Sequence, residues 1–298
     1  MQTLYALDSM SGETGPGEPD AILTKKTEQS RQLFTYLIYF ITEVARYAET
    51  DAARKAGKHL PTAADLATNT KISGNELLWK IAEEPSFKKA VQEGKAALSI
   101  DKDLLKTIYR TLTETPEYKE YIEEQSRDKK GEKKMLEFIF TDLLLPDEDF
   151  ISHIEEHFIN WDDDAEMMHS LVLSYLSKPA QANFDNFLSE EKQHFAKDLL
   201  HTVLDKYDQT LELIKPKLNN WDAERIAALD LIILQMGVCE FLYFETIPTK
   251  VTINEYIDLA KAYSTPQSGQ FVNGLLDNIH KELQAENKLE KRNHKEKK

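Results

Sequence analysis

Apolar residues recur every three to four positions along almost the whole chain, which is the spacing of one helix face and not the alternation of a strand. Residues 1–9 read as the end of a helix, and SGETGPGEPD, residues 11–20, as a loop from its Gly, Pro and Ser content. Ala21 to about Arg54 is predicted as a long helix with Leu33, Leu37, Ile41 and Val44 on one side. Gly57 to Asn75 is polar and irregular, broken by Pro61 and Gly74. Helical pieces follow to about Glu114, Pro116 opens another, and SRDKKGEKK, residues 126–134, reads as a charged loop or turn. Met135 to Leu145 is apolar and is stopped by Pro146. Asp147–Phe158 and Asp163–Leu176 read as helices, the second with capping-box spacing between Asp163 and Glu166. After a connection from Lys178 to Phe187, Ser189–Leu218 reads as one long amphipathic helix. Asp222 is expected to cap a helix running to about Phe244 that is apolar nearly all round, and so central and buried. Val251–Tyr263 and Ser268 to about Leu289 complete the set, and an all-α fold follows.

Composition narrows the picture. With 298 residues, 41% apolar and 30% charged, the chain can bury one large core or two smaller ones. Its single cysteine, Cys239, excludes an intramolecular disulfide and suits a reducing compartment. It lies in the run IILQMGVCEFLYF and reads as core packing. The N-terminus lacks the basic and apolar regions of a signal peptide, and Phe34–Ala45 is too short for a membrane span, so a cytoplasmic protein without membrane attachment is expected. A net charge of −15 argues against sheath-like nucleic-acid binding, which rests on counterion release by Lys and Arg, and favours a basic partner protein. LEKRNHKEKK, following Lys288, reads as a frayed, solubilising tail.

Few motifs point to chemistry. His153-Ile154-Glu155-Glu156-His157 fits the inverted zinc-protease pattern. However, Phe150, Ile151, Ile154 and Phe158 form the apolar face, which leaves both His on or near the solvated side with no third ligand singled out. Asp162, Asp163 and Asp164 point in different directions on a helix start, so capping and dipole complementarity explain them better than a metal cage. No phosphate loop, nucleophile elbow or zinc spacing occurs, and no catalytic, metal or cofactor site is assigned. Between Ile247 and Gly274 the order of groups is more specific. Lys250 is expected in a turn after Pro248, and Thr252 with Glu255 as a capping box. Asn254 and Asn273 are expected in first turns, and Phe271 follows a polar turn, where a ring could stack on an unpaired base or pack in the core.

Those residues, with Phe195-Ala-Lys-Asp-Leu-Leu, Ile214-Lys-Pro-Lys-Leu, Trp221, Arg225, Asp230, Gly237-Val-Cys-Glu-Phe, Ile247-Pro-x-Lys-Val-x-Ile-Asn-Glu, Leu259-Ala-Lys and Phe271-Val-Asn-Gly-Leu-Leu-Asp, resemble the NusB family of transcription antitermination factors over roughly residues 195–283. Gln2-Thr-Leu-Tyr5 is similar to the end of the family's first helix. The resemblance implies NusB-like helical bundles and no enzyme activity or cofactor. It also implies binding of boxA-like single-stranded leader RNA with the ribosomal protein NusE, in an RNA polymerase antitermination complex acting on ribosomal RNA operons. An adaptor that binds only protein on the same scaffold, and the RNA-binding module of a ribosomal RNA methyltransferase, are the alternatives. By the same resemblance Tyr5, Gln235, Lys250 and Phe271 are expected to face RNA or the partner, and Asp230 to lie near the partner interface. The family's arginine-rich segment lies before the position of Met1, so either the start lies upstream or RNA binding is weakened; Gln235 stands where the family often has a basic residue. The expected division is 1–10 as the end of the first helix, 11–190 as a helical insertion, 191–285 as the NusB-like core and 286–298 as a charged tail.

Overall fold

A computed structural model of the chain describes residues 1–10, 15, 17–94, 100–179, 183–218 and 226–291. Among these the chain forms fifteen α-helices and no strand, as the hydrophobic period predicts. They are α1 (Gln2–Ser9), α2 (Glu18–Ala56), α3 (Ala63–Leu66), α4 (Glu76–Glu83), α5 (Pro85–Glu93), α6 (Lys102–Glu114), α7 (Pro116–Glu123) and α8 (Lys129–Phe138). Then come α9 (Glu148–His157), α10 (Trp161–Ser177), α11 (Glu190–Asp205), α12 (Tyr207–Ile214), α13 (Ala228–Tyr243), α14 (Thr249–Tyr263) and α15 (Ser268–Ala285). No described helix is long and apolar enough to cross a membrane. The chain divides into two compact units, one of Thr27–Phe187 and one of Met1–Lys26 with Leu188–Lys298, the first boundary falling inside α2.

In the Thr27–Phe187 unit the core forms around α2. Leu33, Leu37, Ile41 and Val44 are buried as expected, but so are Phe34, Tyr36, Ile38 and Phe40, so this stretch is enclosed on more than one side. Phe34 stacks on Phe184 and meets Tyr175 edge-on, at centroid separations of 5.4 and 5.7 Å. Helix starts follow local chemistry: Pro85 and Pro116 occupy first-turn positions where no backbone donor is needed. Asp101, Asp128 and Asp147 accept hydrogen bonds from first-turn amides. A buried polar knot ties three segments together: Glu132 accepts from Tyr121 Oη at 3.0 Å and from the Glu76 amide at 2.7 Å, while Asn75 donates to the Glu132 carbonyl and caps α4.

Several sequence expectations need correction in this unit. α2 starts at Glu18, before Ala21, with Glu18 and Asp20 favourably placed at the positive helix end. The stretch Gly57–Asn75 holds α3 and a 3₁₀ turn over Lys71–Gly74. Residues 129–134 are helical because Asp128 caps α8, and a π-helical turn over Ile139–Leu144 follows. α10 begins at Trp161, so Asp163 lies inside its first turn and forms no capping box with Glu166. Asp162, Asp163 and Asp164 occupy that turn together, as dipole complementarity requires, and Asp164 accepts from Ser30 and Asn160. His153 is half-buried rather than solvated, its Nε2 2.6 Å from the Tyr36 hydroxyl, and its ring lies 4.3 Å from that of exposed His157.

The other unit is built on α13, in which every residue from Ile232 to Phe241 is buried. α11, α12, α14 and α15 pack against it or its neighbours. The expected single helix over Ser189–Leu218 is instead α11 and α12, interrupted at Lys206, and ends in a 3₁₀ turn over Lys215–Lys217. The cap expected of Asp222 lies outside the described residues, as do Trp221, Arg225, Ser11–Thr14, Pro16 and residues 292–298 of the tail. The tail's first residues are not frayed: Leu289 packs on the core, and Lys291 donates to the carbonyls of Glu240 and Phe244, both at 2.8 Å.

Candidate functional site

The C-terminal helical hairpin sets the candidate site. α14 is not capped by Thr252; Pro248 precedes it, and Thr252 is fully buried, donating to Glu240 Oε1 at 2.5 Å. Tyr256 donates to the other oxygen of Glu240 at 3.0 Å, so the buried carboxylate is bonded on both sides and fastens α14 to α13. Burial, then the Glu240 charge, pushes the Tyr256 phenol well above its usual range. Cys239 lies in the same core with its thiol pushed up to about 12 by burial, as a packing residue should be.

Asp230, in the first turn of α13, is buried and accepts from Ser268 Oγ at 2.8 Å, which fastens the starts of α13 and α15 together. Its Oδ1 finds no hydrogen-bond partner among the described residues. Phe271, one turn into α15, is half-buried against this core. Lys250 is not in a turn: it is the second residue of α14 and is exposed. At the far end of that helix Lys261 packs beside Gly269, so Lys250 lies roughly 16 Å along the axis from the start of α15. The structure therefore brings Asp230 and Phe271 to one end of the hairpin and places Lys250 at the other. Asn254 and Asn273 are exposed, but each lies in the second turn of its helix. Tyr5, on α1, is exposed at 48%.

Gln235 is not on open surface. It is 2% exposed and lies on a groove of about 420 Å³ formed by α1, the start of α2, α11, Tyr207 and α13. Its Nε2 has no acceptor among the described residues, a condition that costs about 1–3 kcal/mol for a buried donor. Sequence reasoning missed this groove. Ala228, Leu231, Ile232 and Gln235 share one helix face, but α13 is apolar nearly all round, so its period marks no face.

Gly274 closes the Ile247–Gly274 stretch. It lies inside α15, and a Cβ added there would meet nothing within 4 Å. By contrast, Gly237 on α13 is required by packing, because an added Cβ would come within 2.9 Å of Leu276 Cδ2. No group of three or more His, Cys, Asp or Glu among the described residues is arranged to hold a metal ion.

The fold and these residues define an all-helical protein with a C-terminal helical hairpin and an apolar groove. The family model described as NusB family matches residues 154–281, beginning within α9. The transcription antitermination protein NusB of Salinibacter ruber is 37% identical over 131 residues, 44% of this chain and 76% of that relative. The protein of the same name from Koribacter versatilis is 41% identical over 101 residues, 34% and 69% of the two chains, and that from Bacillus subtilis is 41% identical over 101 residues, 34% and 77%. The chain belongs to the NusB family, and the role its relatives are named for is not enzymatic. No solved structure gives a match.

Proposed function

We propose that this protein is a cytoplasmic transcription antitermination factor that binds boxA-like single-stranded leader RNA together with the ribosomal protein NusE, promoting transcription of ribosomal RNA operons within an RNA polymerase antitermination complex. Family membership supports the general role, and the observation that carries the binding site is Gly274. A glycine inside a helix costs about 1 kcal/mol relative to alanine, and among the described residues nothing comes within 4 Å of where its Cβ would stand. Bare backbone beside half-buried Phe271 suits the close approach of a ligand. In this reading Lys250 contacts phosphate while Tyr5 and Phe271 stack or pack on bases. The separation of Lys250 from Phe271 calls for an extended strand rather than a duplex groove. Asp230 and Gln235 serve the partner side. Residues 11–190 are proposed to be a helical insertion, a reading supported by the separate compact unit of Thr27–Phe187.

The test is a titration of fluorescently labelled boxA RNA with NusE present. Phe271→Ala is expected to weaken binding by about tenfold, within the roughly 1–3 kcal/mol of a lost stacking contact, and Lys250→Ala to weaken it and to lower its salt dependence by one phosphate contact. Unchanged affinity in both would refute the site assignment. The net charge of −15 favours a second reading, an adaptor that binds only protein. In that case labelled RNA shows no added affinity with or without NusE, while NusE itself still binds.

A further inference from the structure

The groove beside Gln235 has the features of a site that no described residue fills. Leu4, Leu7, Val203, Leu204, Leu231 and Ile232 supply apolar walls. Leu204 and Tyr207 remain 37% and 41% exposed at its edge, as apolar groups at interaction sites are. A volume of about 420 Å³ falls within the range of ligand pockets. The Gln235 carboxamide, almost wholly buried, presents an Nε2 donor that nothing among the described residues accepts. Among the described residues the one charged group lining the groove is Asp8, in a chain of net charge −15.

We propose that this groove docks an extended segment of a partner protein that carries branched aliphatic side chains next to a Lys or Arg. The aliphatic groups fill the apolar walls, the cation meets Asp8, and a backbone carbonyl accepts from Gln235. An extended segment is required because mid-helix carbonyls are already bonded within their own helix, whereas an extended strand keeps carbonyls free. RNA is disfavoured because no Lys or Arg among the described residues lines the groove to meet phosphate. Gln235 lies five residues beyond Asp230, about 140° round α13, so the groove is on a different face from the Asp230–Ser268 tie. The proposal keeps the partner-facing reading of Gln235 and names the partner's chemistry there, but it does not depend on RNA binding elsewhere.

The experiment pans the full-length protein with a phage library of linear peptides about ten residues long, then measures enriched peptides, fluorescein-labelled, by anisotropy. Enriched sequences should pair Leu, Ile or Val with Lys or Arg. Leu204→Asp and Asp8→Lys, both at exposed positions, should each weaken the peptides by about tenfold or more, a loss on the order of 1.4 kcal/mol. The helical circular dichroism of these two variants should stay at the wild-type value. Gln235→Leu should weaken the peptides several-fold. No enrichment, or peptides that bind both charge variants as tightly as wild type, would overturn the proposal. Displacement of the peptides by a short oligoribonucleotide would overturn it too, by giving the groove to RNA. Failure of RNA binding in the wild type, with peptide binding intact, would count against the RNA reading alone.

Discussion

Gly237 and Gly274 lack the same methyl group for different physical reasons. At Gly237 an added Cβ meets Leu276 Cδ2 at 2.9 Å and Cδ1 at 3.1 Å, so the fully buried Leu276 side chain must shift within the core. Overpacking of this kind costs about 1–3 kcal/mol, and the helix propensity of alanine returns at most about 1. Gly237→Ala should therefore lower stability by roughly 1 kcal/mol. Gly274→Ala meets no neighbour and should raise stability by about 0.5–1 kcal/mol. Urea midpoints of the two variants should move in opposite directions, and a shift of the same sign in both would contradict the packing at Gly237. Cys239 gives a chemical check on the same core. With its thiol pushed up to about 12 by burial, it is protonated at neutral pH and shielded. A disulfide reagent at pH 8 should leave it unmodified until denaturant unfolds the unit; rapid labelling of the native protein would place it elsewhere.

At the scale of elements, helix ends mark where sequence pattern was informative and where it was not. Pro116 opens α7 as its fixed φ predicts, and the apolar stretch of α13 is the buried centre its composition implies. The break between α11 and α12 was not legible, because Asp205-Lys206-Tyr207 holds no Gly or Pro and the apolar period runs through it. Thr252 was misread because a threonine three residues before a Glu fits a cap equally well whether its hydroxyl meets a backbone amide or, as here, a buried carboxylate on another helix. Lys291 lies in a charged run, and nothing local shows that its ammonium supplies donors to the carboxyl end of α13, where a cation is favoured. Lys291→Ala should destabilise that end by roughly 0.5–2 kcal/mol, seen as faster amide exchange near Phe244. In the other unit Asp65 is a capping partner. It pairs with Lys58 at 2.6 Å, accepts from the Thr62 amide and hydroxyl, and closes a reciprocal box on α3. The Lys58 hydrogen bond first, then those from Thr62, hold its carboxyl well below the usual range. Because the folded pKa is depressed, the contribution is present above about pH 4 and is lost as pH falls through the folded value. Protection of α3 amides should fall in that acid window in the wild type and lose this pH dependence in Asp65→Asn.

For the whole molecule, one apolar period continuing through 298 residues could not show that the chain makes two cores, since both are built from the same amphipathic repeat. The division falls inside α2, in the polar run Thr24–Gln32, which stays helical and holds no Gly or Pro to announce a boundary. The proposed binding surface was legible only through ordered resemblance, because Asp230 and Gln235 on α13 and Phe271 on α15 acquire meaning from where two helices bring them and not from their own neighbours in sequence. Two separate sets of buried residues nonetheless make a physical claim that can be checked. Phe40 is fully buried in the core of the Thr27–Phe187 unit, and Phe241 is fully buried in the core of the other. Truncating a buried phenylalanine to alanine costs about 3–5 kcal/mol, because the lost contacts leave a cavity that neighbours only partly fill. If each core is its own cooperative unit, Phe40→Ala should speed amide exchange across peptides from residues 27–187 and spare those from 228–285. Phe241→Ala should do the reverse. Peptide-resolved hydrogen exchange distinguishes the cases: equal loss of protection across the chain after either truncation would mean that the two cores unfold as one.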